Sequence, residues 1–355
     1  MSTVVAPPRS SAATRLESRT LPSWAVPGIA VGAVGLSLLF AFVRGAGGVV
    51  PVAALAYVLF VLGVVAASTV VESGRRARDR LATVLVLGAF GTALVPLVAV
   101  LAVVISRGAR RFDLEFFTHS LRGIGPSDAG GGAYHAIVAT LEQVALASAF
   151  AIPVGIFVAI YLVEYGRGAF ARATSYVVDV MTGLPSVVAG LFVLAFFILY
   201  LQHGRGFSGF AGAMALGILM LPIVVRSTEE MLKLVPDALR EASYALGVPR
   251  WRTIVSIVIP TALPGIVTGI MLGVARIFGE TAPILLVTFG TDSINLDPFH
   301  GAQSSLPLFV FQQASQPNNT AIDRAWTGAL TLILIVMILN LLARLVARRA
   351  RVRGR

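Results

Sequence analysis

The sequence predicts an all-α fold, a polytopic bundle of membrane-crossing helices. Apolar residues make up 57% of the 355 positions and charged residues only 13%, with a mean hydropathy of +0.86, which excludes an ordinary soluble domain. The apolar residues gather into runs of roughly 17 to 25, each long enough to cross about 30 Å of hydrocarbon as a helix. Backbone amides in lipid must be satisfied within their own segment, so long continuous runs mean helices, where a barrel would show short alternating segments.

Eight such runs are expected, at 25–43, 49–71, 81–105, 134–163, 175–201, 210–225, 261–289 and 327–343. The first follows Arg9, Arg15 and Arg19 and so resembles a signal peptide. It is too long for an h-region and lacks a small-residue cleavage site, so it is read as a retained helix. Between the third and fourth runs lies a long loop, 106–132, in which Phe112, Leu114, Phe116 and Phe117 precede a glycine-rich stretch. It suits the membrane interface, a soluble partner, or a plain connector. The same choice applies to 290–326, a polar loop with an apolar patch at 306–311.

Basic residues outnumber acidic ones 28 to 17, and all but Lys233 are arginine. In a soluble protein that balance would suggest nucleic acid; here it sets orientation. With residue 1 inside, twenty basic residues fall in inner segments, seven in outer ones and Arg276 within a span. Both termini are therefore expected in the cytoplasm. The exception is 106–133, whose Arg107, Arg110, Arg111 and Arg122 lie on the disfavoured side.

Chemistry-bearing residues are sparse. There is no cysteine, no phosphate-cradling glycine loop and no nucleophile–base pair, and His119, His135, His203 and His300 are scattered. No catalytic centre, metal site or cofactor is expected on this chain. Ionisable residues inside spans, each costing roughly 2.5 to 3.5 kcal/mol at a helix centre, need a reason to be there. Arg276 and Glu280, spaced i, i+4, share a helix face; they either neutralise one another in the bundle or line a pathway with an anion-binding guanidinium fork. Asp179 precedes Gly183-Leu184-Pro185, where proline removes an amide donor, giving a kink, a polar lining, or both. Glu142 lies early in its span and suits an interface.

The polar segment 226–260 is the most informative. Pro236 suits a first helical position, and the pattern predicts a helix through Asp237, Leu239, Glu241, Ala242 and Ala245 to a stop at Gly247, with a second beginning at Pro249. Acidic residues at its start complement the helix dipole. Ala238, Ala242 and Ala245 leave a narrow face able to dock in a groove; the alternative is an interfacial loop of helical character.

That segment reads Glu241-Ala242-Ser243, then Gly247, then nine residues to Ile257-Val258-Ile259-Pro260. It resembles the EAA loop of ABC importer permeases, Glu-Ala-Ala, three residues, Gly, nine residues, Ile-x-Leu-Pro, departing only at Ser243 and Ile259. Further stretches narrow the resemblance to PstA-type permeases of phosphate-specific importers. They are Glu164-Tyr165-Gly166, Leu184-Pro185-Ser186-Val187-Val188-Ala189-Gly190-Leu191, Leu221-Pro222-Ile223-Val224-Val225-Arg226, and Arg276-Ile277-Phe278-Gly279-Glu280-Thr281-Ala282-Pro283. The resemblance covers residues 81–355 and leaves 1–80, with two spans, as an extension beyond the six spans typical of the family.

The resemblance implies a non-catalytic subunit in a bacterial plasma membrane that translocates phosphate. It implies an ATPase-coupling loop at 226–260 carried by Arg240, Glu241, Ala242, Ser243, Gly247, Ile257 and Pro260. Pathway candidates are Arg276, Glu280, Thr281, Asp179, Pro185 and Ser186. Implied partners are a PstC-type permease, two PstB-type ATPase subunits that bind the ATP, and a PstS-type phosphate-binding protein. The competing readings are a permease for another oxyanion such as phosphonate or molybdate, a membrane scaffold in phosphate sensing, and a secondary transporter.

Overall fold

The computed structural model describes residues 20–45 and 48–353, with side chains through 345. Arg9, Arg15 and Arg19, and the arginines from 348 to 355, on which the orientation argument partly rests, lie outside the described side chains. Two compact units are present, Met1–Leu101 and Ala102–Arg355.

In the first unit, α1 (Ala25–Arg44) and α2 (Val49–Val71) form a hairpin, followed by α3 (Gly74–Gly108), whose residues from Ala102 on belong to the second unit. Gly63 admits Ile29, whose Cγ2 would lie 2.7 Å from an added Cβ. Tyr57 crosses Gly88 to donate to the Val84 carbonyl at 3.0 Å. Small residues of this kind let helices approach where lipid offers no hydrophobic drive. At the α2–α3 turn, Glu72 accepts from Arg80 through Nε and Nη2, both at 2.8 Å, from Ser68 at 2.7 Å and from the Leu21 amide at 2.8 Å.

The second unit contains α4 (Leu114–Thr118), α5 (Tyr134–Ile160), α6 (Gly168–Thr182), α7 (Ser186–Phe192), α8 (Gly209–Lys233), α9 (Asp237–Ala245), α10 (Arg250–Thr253), α11 (Ile259–Phe278), α12 (Ala282–Val287), α13 (Leu306–Ala314) and α14 (Asn319–Arg353). Its core is α8, whose Gly209, Ala211, Gly212, Ala213, Ala215 and Gly217 are all buried. Leu216, Met220 and Val224 pack against Val144, Ala147 and Ala151 of α5. A Cβ on Gly155 of α5 would lie 2.7 Å from the Val224 side chain, so the two helices run in close contact.

Among the described residues, seven helices are long and apolar enough to cross a membrane, or eight if a bent pair counts as one span. That pair revises the expected continuous run at 175–201. Helix α6 and the segment Ser186–Leu201 meet at 110° across Gly183-Leu184-Pro185, because Pro185 lacks the amide that would continue the ladder. The run expected at 261–289 also breaks, at Gly279-Glu280-Thr281, and α12 starts afresh. In contrast, the run expected at 210–225 extends to Lys233. Arg226 pairs with Glu229, and Lys233 with Glu229 at 2.8 Å and Glu230 at 3.6 Å, so the added charges are neutralised along the helix.

The two long loops are built structures. Phe116 is fully buried against Phe309 of α13, together with Leu121 and Leu306, so its side chain is core instead of an interfacial anchor. Three of the four exceptional arginines have local uses. Arg107 lies over the Trp326 ring at 5.6 Å, Arg110 pairs with Asp323 at 3.6 Å and Arg111 with Asp113 at 3.2 Å. Arg324, 1% exposed, donates to the Gly125 and Asp128 carbonyls and to Gln313, tying the first loop to α13.

Candidate coupling loop and translocation pathway

Helix α9 follows Pro236, carries Asp237 in its first turn, and ends where Gly247 takes φ +77°. The Gly247 amide donates to the Tyr244 carbonyl at 2.9 Å and the Val248 amide to the Ser243 carbonyl at 3.2 Å, closing the last turn. Adjacent positions on this short helix face opposite ways. Glu241 and Ala242 are exposed, as are Leu239, Leu246 and Trp251 nearby, while Ser243 is buried. Its hydroxyl meets that of Thr253 at 2.8 Å and joins α9 to α10.

Arg240 turns inward. Its Nε and Nη2 reach Glu164 Oε1 at 3.2 and 2.9 Å, and it also donates to the carbonyls of Leu232 (3.0 Å) and Val235 (2.6 Å) and to Asp237 (3.1 Å). The Glu164 side chain is 4% exposed and that of Arg240 12%. Glu164 lies in a π-turn, Tyr161–Tyr165, that ends α5. The same turn receives Arg250, which donates to the Glu164 carbonyl and stacks over Tyr165 at 5.1 Å. Ile257 sits half-buried in a second π-turn, Ile254–Val258, which carries α10 straight into α11, and Pro260 is exposed at the second position of that helix.

The pathway candidates divide into two groups. Arg276 lies in the last turn of α11 and faces Glu280 at 3.6 Å; the arginine side chain is 59% exposed and the glutamate 15%. Thr281 immediately precedes α12 without a side-chain hydrogen bond to it, and Pro185 and Ser186 start α7. These two short helices cross where a Cβ on Gly190 would lie 2.7 Å from Pro283 Cα, so Glu280, Thr281 and Ser186 stand near the starts of packed elements. Asp179 belongs elsewhere. It pairs with Arg226 of α8, which also donates to the Ser175 carbonyl and hydroxyl at 3.1 and 3.0 Å. Glu142 accepts from Gln303 at 2.8 Å, and Gln303 in turn accepts from the buried Gln143 at 3.2 Å.

Arg226, Glu164 and Arg250 were visible in the sequence only as motif letters or as charges to be counted, and Thr253 not at all. A signal for Glu164 was available: a lone carboxylate at the end of an apolar run must find a cation. Which cation was not legible, since Arg240 lies 76 positions away.

Residues 151–352 match the family described as binding-protein-dependent transport system inner membrane component. The phosphate transport system permease protein PstA 1 of Mycobacterium tuberculosis is 51% identical over 281 residues, spanning 78% of this chain and 92% of that protein. The phosphate transport system permease protein PstA of Mycobacterium leprae is 49% identical over 270 residues, 75% of this chain and 88% of that protein. That of Yersinia pestis is 39% identical over 276 residues, 78% of this chain and 92% of that protein. A bacterial alginate ABC transporter, in complex with an alginate pentasaccharide-bound periplasmic protein, superposes with a TM-score of 0.57 at 14% identity, covering 77% of this chain and 95% of that one. At such identity the likeness establishes the fold alone: an ABC importer transmembrane domain.

Proposed function

The chain belongs to the family of binding-protein-dependent transport system inner membrane components, and from that membership we propose that it is the pore-forming permease subunit of an ATP-driven phosphate importer. The aligned phosphate transport permeases supply the substrate. The observation that carries the ATP-driven part is α9: a short helix capped by Gly247, with Glu241 exposed and its neighbour Arg240 anchored inside. A helix held rigidly from behind and free in front is suited to seat in a groove of another chain.

This polypeptide has no nucleotide-binding loop of its own, so the energy enters from that other chain. Two PstB-type ATPase subunits receive α9 and its counterpart on a PstC-type permease, a PstS-type protein delivers phosphate from outside, and no cofactor is held here. Closure of the ATPase dimer displaces α9, and rocking of the spans opens the pathway to each side in turn. The chain is multi-pass in a bacterial plasma membrane, with both termini cytoplasmic.

Arg276 supports the pathway assignment. A largely exposed guanidinium in bare hydrocarbon would cost about 2.5 to 3.5 kcal/mol, so this face of α11 belongs against water or a second permease. There the fork can hold a phosphate briefly, and Glu280 keeps the site from becoming a trap.

The deciding experiment is uptake of labelled phosphate by the reconstituted complex. Glu241→Lys abolishes ATP-dependent uptake while the chain still inserts in the membrane. Wild-type uptake by that variant, or an intact complex in which no ATPase associates with the chain, refutes the proposal.

A further inference from the structure

A load placed on α9 must reach the membrane-crossing helices before any pathway can open. Two covalent routes leave α9, through Leu234-Val235-Pro236 to α8 and through Leu246–Pro249 to α10. Neither leads to α5, which lies 76 positions away at the Glu164–Arg240 contact.

We propose that Glu164 is a positioning residue for energy coupling: it clasps Arg240 and so passes the motion of α9 directly to α5 and, through Arg250, to the rod formed by α10 and α11. This inference rests on the docking of α9 to an ATPase.

Burial is the first support. The Glu164 carboxylate is 4% exposed, and a carboxylate at that depth must keep its cation. Arg240 therefore cannot move away from Glu164 without leaving a bare buried charge, and the contact transmits both push and pull. Geometry is the second. Arg240 places two nitrogens on one carboxylate oxygen while its Nη groups hold the carbonyls of Leu232 and Val235 at the end of α8. The guanidinium thus belongs equally to α9, to the end of α8 and to α5. A lysine, a point charge on a flexible stem, cannot serve four acceptors in a fixed plane.

The third support is where the force arrives. Helix α5 lies along α8 through the middle of the core, in contact at Gly155 and Val224. The π-turn Tyr161–Tyr165 widens the last turn of α5 at the residue that takes the load, and such turns recur at functional sites. The Glu164 carbonyl and the Tyr165 ring hold Arg250, and the rod that begins at Arg250 ends at Phe278, with Arg276 in its last turn. One turn of α5 therefore gathers the coupling helix and the helix that carries the guanidinium facing Glu280.

The test is Glu164→Gln in the reconstituted complex of full-length chains, measuring phosphate uptake, ATP hydrolysis and retention of the ATPase together. Arg240 keeps its carbonyl partners in this variant, so the ATPase is expected to stay bound and hydrolyse ATP. Uptake per ATP falls about tenfold, the loss of one charge-assisted hydrogen-bonding partner. Glu164→Asp, which keeps a carboxylate for Arg240, retains most of the uptake per ATP. Glu164→Gln with uptake per ATP equal to wild type overturns the inference, as does loss of the ATPase itself, which would make the pair a scaffold for the docking face only. If Glu164→Gln fails to accumulate in the membrane, Arg240→Lys decides: uptake per ATP lowered with the ATPase retained supports the clasp, and uptake per ATP equal to wild type overturns it. Failure of the docking reading is distinguishable, because the ATPase is then absent from the wild-type complex as well.

Discussion

The hydroxyls of Ser243 and Thr253 lie 2.8 Å apart, both buried, and form the link between α9 and α10. Ser243 stands where the resembled loop has alanine, and Thr253 supplies what the extra hydroxyl needs, since a buried hydroxyl without a partner is costly. The expected outcome is that Ser243→Ala costs about 1 kcal/mol by leaving Thr253 with only the Pro249 carbonyl at 3.4 Å. Adding Thr253→Val returns stability close to wild type. Thermal unfolding of the four proteins in a double-mutant cycle measures the coupling; additive single effects would show that the two hydroxyls do not act as a pair.

Gly190 and Pro283 set a second expectation. A Cβ on Gly190 would sit 2.7 Å from Pro283 Cα and 3.1 Å from its carbonyl oxygen, both backbone atoms. Gly190→Ala must therefore part α7 from α12 and costs about 1 to 3 kcal/mol by overpacking. Gly183, at the nearby bend, has φ −89° and its nearest neighbour 3.7 Å from an added Cβ, so Gly183→Ala is tolerated. Thermal melts of the solubilised protein separate the two; equal stability of both variants would contradict a tight crossing.

Much of this architecture was legible in the sequence, and the exceptions share a physical reason. The helix Val49–Val71 and the glycine-ended helix before Gly247 follow from apolar runs and caps, which are local signals. The break at Gly279–Thr281 was not legible, because a hydropathy window averages over a broken ladder as readily as over an intact one. Pro185 did give warning of the bend that follows α6, yet no local rule turns a kink into 110°. Charge neutralisation along α8 was hidden for the opposite reason: Arg226, Glu229, Glu230 and Lys233 read as the end of a span until their pairing is known. Site residues follow the same division. That Arg240 turns inward while Glu241 faces out depends on Glu164, and no spacing within 226–260 contains that residue.

Arg276 and Glu280 predict distinct kinetic signatures. Removing the fork by Arg276→Gln lowers phosphate uptake by about 10 to 100-fold, the worth of a charge-assisted contact. Glu280→Gln leaves the guanidinium unopposed, so phosphate is held longer and both KM and kcat fall. Uptake kinetics in proteoliposomes check both variants, with ATPase retention unchanged in each. A Glu280→Gln variant with raised KM and unaltered kcat would place the carboxylate outside the pathway.

Glu72 gives the first unit a pH dependence of defined sign. Its carboxyl is held down to about 2 from 4.5, chiefly by the hydrogen bonds from Arg80, then by Ser68 and the Leu21 amide. Because the folded value lies below the unfolded one, the stabilisation is fully present above about pH 4.5 and drains away as pH falls from there toward 2. The α2–α3 turn is therefore expected to loosen as the pH falls through that window. Hydrogen exchange of the backbone from 68 to 80, followed by mass spectrometry on the full-length protein, reads this directly. Protection is expected to decline between about pH 5 and about pH 3 in the wild type. In Glu72→Gln it is lower at neutral pH and flat across that window, because no titrating group remains to link the turn to the proton; a decline of equal size in that variant would assign the effect to another carboxylate.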